Sequence, residues 1–161
     1  MSSNYKSLGI RPVINANATL TKLGGSLMPA EVRQAMQDAA QSFVDMHDLQ
    51  QEVGTRLAEI TRNEAAFVSC GAATGLLLAT AACITKASGA TYEDFPNPPG
   101  TQNEVIVQRM HRNPYDYAVQ QAGASLVEIG TMDGTSLEDL ENAYSASTVA
   151  IFWFQGAMNQ P

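Results

Sequence analysis

Basic side chains are scarce in this chain of 161 residues. Nine Lys and Arg stand against 16 Asp and Glu, a formal charge of −7, so a phosphate backbone meets a repelling surface and nucleic-acid binding is disfavoured. Charge of either sign is sparse too. Charged residues make up 16% of the chain against roughly 25% in an average soluble domain, while 45% are apolar, which excludes intrinsic disorder and leaves room for a surface partly covered by another chain. Cysteine is nearly missing. Cys70 and Cys83 lie thirteen apart with no C-x-x-C and no clustered histidine, so neither a zinc site nor a disulfide framework is expected, and both read as reduced cytoplasmic thiols. Long apolar runs are absent as well: the longest, 75–84, is broken by Thr80 and falls far short of the ~20 residues that span a bilayer. No apolar segment follows Lys6 to mark a secretory leader.

What is present is an alternation of helical and strand signals. Residues 10–29, with Pro12, Gly24, Gly25 and Pro29, keep neither period for long and read as an ordered arm. From Pro29, apolar positions at Val32, Ala35, Met36, Ala39, Ala40, Phe43 and Val44 predict a helix with one buried stripe. Leu49, Val53, Leu57 and Ile60 predict a second, with Asp45 and Asp48 near its start. Beyond residue 63 the expected order is β-α-β-α-β-α-β, with strands at 65–68, 105–107, 126–129 and 148–154 and helices at 71–86, 115–122 and 136–144. Strands joined by helical crossovers imply an α/β fold, a mainly parallel sheet with helices on both faces. The expected division is an arm with two helices, 1–62, and a sheet-bearing part, 63–161. The loop 88–103, rich in proline, is the longest irregular stretch.

Ligands of such sheets bind beyond the carboxyl ends of the strands, so strand-to-helix turns are the places to search. In Ser69-Cys-Gly-Ala-Ala-Thr-Gly75, small residues at Gly71, Ala72 and Ala73 lead into a helix whose free N–H groups suit a phosphate; the same turn also suits close packing of helix on sheet. It lacks both the G-x-G-x-x-G and the G-K-[ST] fingerprints, which weakens a nicotinamide-binding domain. The turn Gln108-Arg-Met-His-Arg-Asn-Pro-Tyr-Asp116 carries His111, which can stack on a flat ligand, between Arg109 and Arg112, which can hold anionic groups; a solvated charged turn is the alternative. Asn15 and Thr19 belong to a polar arm that either faces a ligand or satisfies its own turns.

Three runs carry a resemblance. Gly9-Ile-Arg-Pro-Val-Ile-Asn-Ala-Asn-Ala-Thr-Leu-Thr-Lys-Leu-Gly-Gly-Ser-Leu-Met-Pro29, Ser69-Cys-Gly-Ala-Ala-Thr-Gly-Leu-Leu-Leu-Ala-Thr-Ala-Ala-Cys83 and Asn103-Glu-Val-Ile-Val-Gln-Arg-Met-His-Arg-Asn-Pro-Tyr-Asp-Tyr-Ala118 resemble, in order and spacing, the selenium-transferase-like group of fold-type-I pyridoxal-phosphate enzymes. That group includes L-seryl-tRNA selenium transferases and D-glucosaminate-6-phosphate ammonia-lyases, and the resemblance covers most of residues 8–161. It implies the aminotransferase-like large domain as fold and pyridoxal 5'-phosphate as cofactor. The implied cofactor contacts are Gly71, Ala72 and Ala73 on the phosphate and His111 on the pyridine ring. Asn15, Thr19, Arg109 and Arg112 are implied at the substrate, an amino acid or amino sugar acid, in an active site completed by a second copy.

The chain departs from the group at Ala18 and Pro114, where glycines are expected. A larger departure concerns the Schiff-base lysine of the group: Lys6, Lys22 and Lys86 are the only lysines, and none matches its position, so no catalytic residue is expected here. The expectation is an N-terminal fragment of a longer enzyme catalysing elimination or β-replacement, nearer the ammonia-lyases than the tRNA-dependent transferases. A non-catalytic truncated homologue, acting as a binding or scaffold subunit, is the alternative.

Overall fold

The computed structural model describes residues 5–154; the closing run 155–161, expected to end the chain just past a strand, lies outside the described residues. The chain divides into two compact units, Met1–Leu49 and Gln50–Pro161.

In the first unit the arm runs through two 3-10 turns into α1 (Ala30–Ala39), which starts directly after Pro29 as a ring with φ fixed near the helical value favours. The expected stripe is shorter and not buried. Val32 and Met36 are exposed, and Phe43 and Val44 lie beyond the helix end. The cause is local: the Asp45 carboxylate accepts from the N–H groups of His47 and Asp48 at 2.8 and 3.2 Å, starting α2 (Met46–Thr61) and preventing α1 from running on. Upstream, Asn15 closes its own turn, donating from Nδ2 to the Ala18 carbonyl and accepting from the Asn17 N–H, both at 2.8 Å. Ala18 is thereby held at φ +41°. An L-residue there costs roughly 1–2 kcal/mol, more than the ~0.5–1 kcal/mol of extra chain entropy a glycine loses. Ala18→Gly is therefore expected to stabilise this turn by about 0.5–1 kcal/mol, measurable by urea unfolding with a tryptic-cleavage readout in the arm.

In the second unit, α3 (Ala72–Ser88) precedes β1 (Glu104–Gln108), α4 (Asp116–Gln121), β2 (Ser125–Ile129), α5 (Leu137–Ala143) and β3 (Thr148–Phe152). Among the described residues all pairings are parallel and the order is β2-β1-β3, a three-stranded sheet flanked by helices. β1 is the middle strand, with Val105, Ile106 and Val107 fully buried, which is why it reads as an uninterrupted apolar run. Ile84, Val119 and Ala124 pack with it, joined by Leu76, Phe95, Val149 and Phe152. Ser136 starts α5 with a capping box, its Oγ accepting from Asp139 N–H at 3.1 Å while Asp139 Oδ2 accepts from Ser136 N–H at 2.8 Å.

One expected strand does not form. Residues 65–68 are irregular: no strand pairs with them among the described residues, Phe67 is exposed, and the Val68 carbonyl accepts from the Gln50 side-chain amide at 3.1 Å instead of from a neighbouring strand. A short apolar run does not by itself reveal whether a ladder partner exists. The last strand also stops at Phe152 rather than Phe154. Among the described residues no helix is long and apolar enough to cross a membrane.

Candidate functional site

Strand order places the site. From β1 the chain steps to β2 on one side, then crosses to β3 on the other, so the direction of winding reverses between β1 and β3. In open α/β sheets ligands bind outside the carboxyl ends of the strands at such a reversal. His111 follows β1 through a 3-10 turn, Arg109–His111, and Trp153 follows β3 directly; their rings lie 5.2 Å apart at an interplanar angle of 54°. The imidazole is 4% exposed and its Nδ1 is buried without a hydrogen-bond partner among the described residues, whereas Trp153 is 71% exposed. The imidazole is thus closed to solvent, and the open aromatic surface at this point is the indole.

The turn itself is held by carboxylates. Glu128 on β2 accepts from Arg109 Nε at 2.6 Å and from Arg112 Nη1 at 2.7 Å, and Arg112 Nε donates to the buried Asp116 at the start of α4. Asp116 Oδ2 also accepts from the Asn113 N–H at 3.1 Å, and Asn113 Nδ2 donates to the His111 carbonyl at 3.0 Å. Arg109 first, then Arg112, holds the Glu128 carboxyl below its ordinary range, and Asp116 raises Arg112 further above its own. Among the described residues Arg109 engages Glu128 through its Nε alone, so its terminal nitrogens remain for another anion.

The second element is the start of α3. Gly71 takes φ +149°; among the described residues no side chain caps the helix, and a Cβ built at Gly71 would meet no atom within 4 Å beyond its chain neighbours. Small side chains therefore leave the first N–H groups of a 17-residue helix open. Ser69 Oγ donates to the Gly71 carbonyl at 2.9 Å and fixes the approach of the chain. A cavity of about 430 Å³, lined by Phe67, Ser69, Gly75, Leu78, Ala79 and Ala82, adjoins this turn. Cys70 and Cys83 are both free thiols.

Arg109, His111 and Arg112 thus share one turn, and Gly71, Ala72 and Ala73 form another in the same unit; Asn15 and Thr19 belong to the first unit. Sequence reasoning missed Glu128, Asp116 and Trp153. Glu128 had a signal, as the lone charge in the apolar run Leu126-Val-Glu-Ile129, and Asp116 stands four residues after Arg112. Trp153 had none, because its nearness to His111 arises from the pairing of β1 with β3.

No protein-family model matches the chain. It is 35% identical over 154 residues to a 5'-C-glycyluridine monooxygenase-decarboxylase from Streptomyces sp, covering 92% of this chain and 39% of that protein. It is 32% identical over 153 residues to the D-glucosaminate-6-phosphate ammonia lyase of Salmonella typhimurium (strain 14028s / SGSC 2262), covering 92% and 42%. A solved structure of D-glucosaminate-6-phosphate ammonia-lyase superposes with a TM-score of 0.88 at 30% identity, over 100% of this chain and 45% of that one. The chain thus spans about two fifths of the length of the relatives it matches. The resemblance to the group that contains the D-glucosaminate-6-phosphate ammonia-lyases stands on sequence and on fold together, and the chain is a homologue of those enzymes over part of their length.

Proposed function

We propose that this chain forms the amino-terminal part of a pyridoxal-phosphate site of the ammonia-lyase kind, acting on an amino acid or amino sugar acid by elimination or β-replacement. The observation that carries the reading is the open, uncapped start of α3 at Gly71-Ala72-Ala73. Mere close packing of helix on sheet would put protein atoms in front of Gly71, and among the described residues none beyond its chain neighbours lies there. A helix feeding a parallel strand runs back along the sheet, which brings its start toward the strands' carboxyl ends and so toward His111. The residues therefore suit the group at both its phosphate and its ring.

When bound, the cofactor supplies an electron sink for bond breaking beside an amino group. The chain's own residues bind and orient. Ala72 and Ala73 N–H groups would hold the phosphate, and His111, backed by Trp153, would limit tilt of the ring. Arg109 offers its free terminal nitrogens to a substrate carboxylate or phosphate, while Arg112, tied to both Glu128 and Asp116, supports the turn. Lys86 cannot reach the phosphate end of this site: it lies fourteen residues beyond Ala72, about 21 Å at ~1.5 Å per residue. Asn15 and Thr19 keep the substrate-contact role that the resemblance implies, and exposed Ile14, Leu27 and Phe43 favour completion of the site by a second copy.

Calorimetric titration tests this reading. Pyridoxal phosphate is expected to bind the chain at least tenfold more tightly than pyridoxal, which lacks the anion; equal affinities would remove the phosphate cradle.

A further inference from the structure

We propose that Glu128 is a positioning residue for His111, clamping both arginines that flank it and so fixing the imidazole against Trp153. Its meaning for catalysis rests on the cofactor role given to His111 above; the clamp itself does not.

A 3-10 turn of three residues has little persistence of its own, so something else must hold Arg109–His111. Glu128 sits in β2 opposite Val107 of β1, on the rigid sheet just before the turn leaves it. Its two oxygens divide between the arginines on either side of His111, at 2.6 and 2.7 Å. These are the short distances of charge-assisted bonds, which also fix direction. Asp116 holds Arg112 from the other side, so the backbone around His111 is tied to a strand and to a helix start at once. One isolated exposed pair would do little; several charges converging on one turn form a network with a single geometry.

The single tryptophan of the chain makes this measurable. An imidazole in contact with indole quenches its emission, so the contact can be read at one fixed pH. The charged groups around His111 are Arg109, Arg112, Asp116 and Glu128. Arg109 and Arg112 keep Glu128 ionised by depressing its titration.

At one fixed pH the wild-type chain is expected to show a drop in Trp153 emission relative to His111→Phe. Glu128→Gln is expected to cut the drop at least twofold at unchanged far-ultraviolet circular dichroism, and Glu128→Asp to restore part of it. Should Glu128→Gln not fold, Arg109→Gln removes one arm of the clamp from an exposed position and is expected to cause an intermediate loss. A full-sized drop in a folded Glu128→Gln or Arg109→Gln, or no drop in the wild type, overturns the proposal. Failure to bind pyridoxal phosphate alongside a Glu128-dependent drop supports the clamp while removing the cofactor reading.

Discussion

Replacing Gly71 by valine is expected to weaken pyridoxal phosphate binding by at least tenfold, about 1.4 kcal/mol or more, while leaving the sheet folded. Two properties of the position combine. Its φ of +149° is one that side-chain-bearing residues rarely adopt, so valine pulls the turn away from its present path. Among the described residues the space a Cβ would enter is empty beyond the chain neighbours, so the branched methyl groups would project where the proposed anion approaches the first N–H groups of α3. Gly71→Ala isolates the first effect from most of the second and is expected to fall between. Calorimetry with pyridoxal phosphate distinguishes them, and a valine variant that binds as the wild type does would exclude the cradle.

Gly123→Val carries the largest stability effect. Gly123 joins α4 to β2 at φ +81°, and a Cβ there would overlap the Pro96 carbonyl oxygen and lie 2.6 Å from Pro98 Cδ. Both neighbours belong to the proline-rich loop, which is also tied to this turn by Asn103 Nδ2 donating to the Gly123 carbonyl at 2.8 Å. Left-handed strain of roughly 1–2 kcal/mol and overpacking of roughly 1–3 kcal/mol add to about 3 kcal/mol. At roughly 2–4 °C per kcal/mol for a chain of this size, thermal unfolding is expected about 6–12 °C lower. A shift below about 2 °C would mean the loop does not pack on this turn.

The sheet was largely legible because β1, β2 and β3 are short apolar runs separated by helical periods, and the capping box at Ser136 is written in the residue spacing. The run Ala65-Ala-Phe-Val68 misled, since apolar β-forming residues say nothing of whether a neighbouring strand exists to pair with. Phe43 and Val44 misled in the same way, their helical spacing overruled by the cap that Asp45 makes. The proposed site was half legible. Gly71 and His111 announce themselves by following strand signals, whereas Trp153 and Glu128 come to His111 only through the parallel pairing and its register. The departure at Ala18 was visible in sequence as a residue in a glycine's place, and the structure gives it the positive φ that makes the substitution costly.

The most direct test of the account is a map of backbone amide and indole resonances of the chain during addition of pyridoxal phosphate. The central claim, a cofactor site built from the start of α3 and the turn after β1, predicts the largest shifts at Ala72 and Ala73, at His111 and at the Trp153 indole. Shifts confined to other surfaces, or none at those four residues at saturating cofactor, would contradict it.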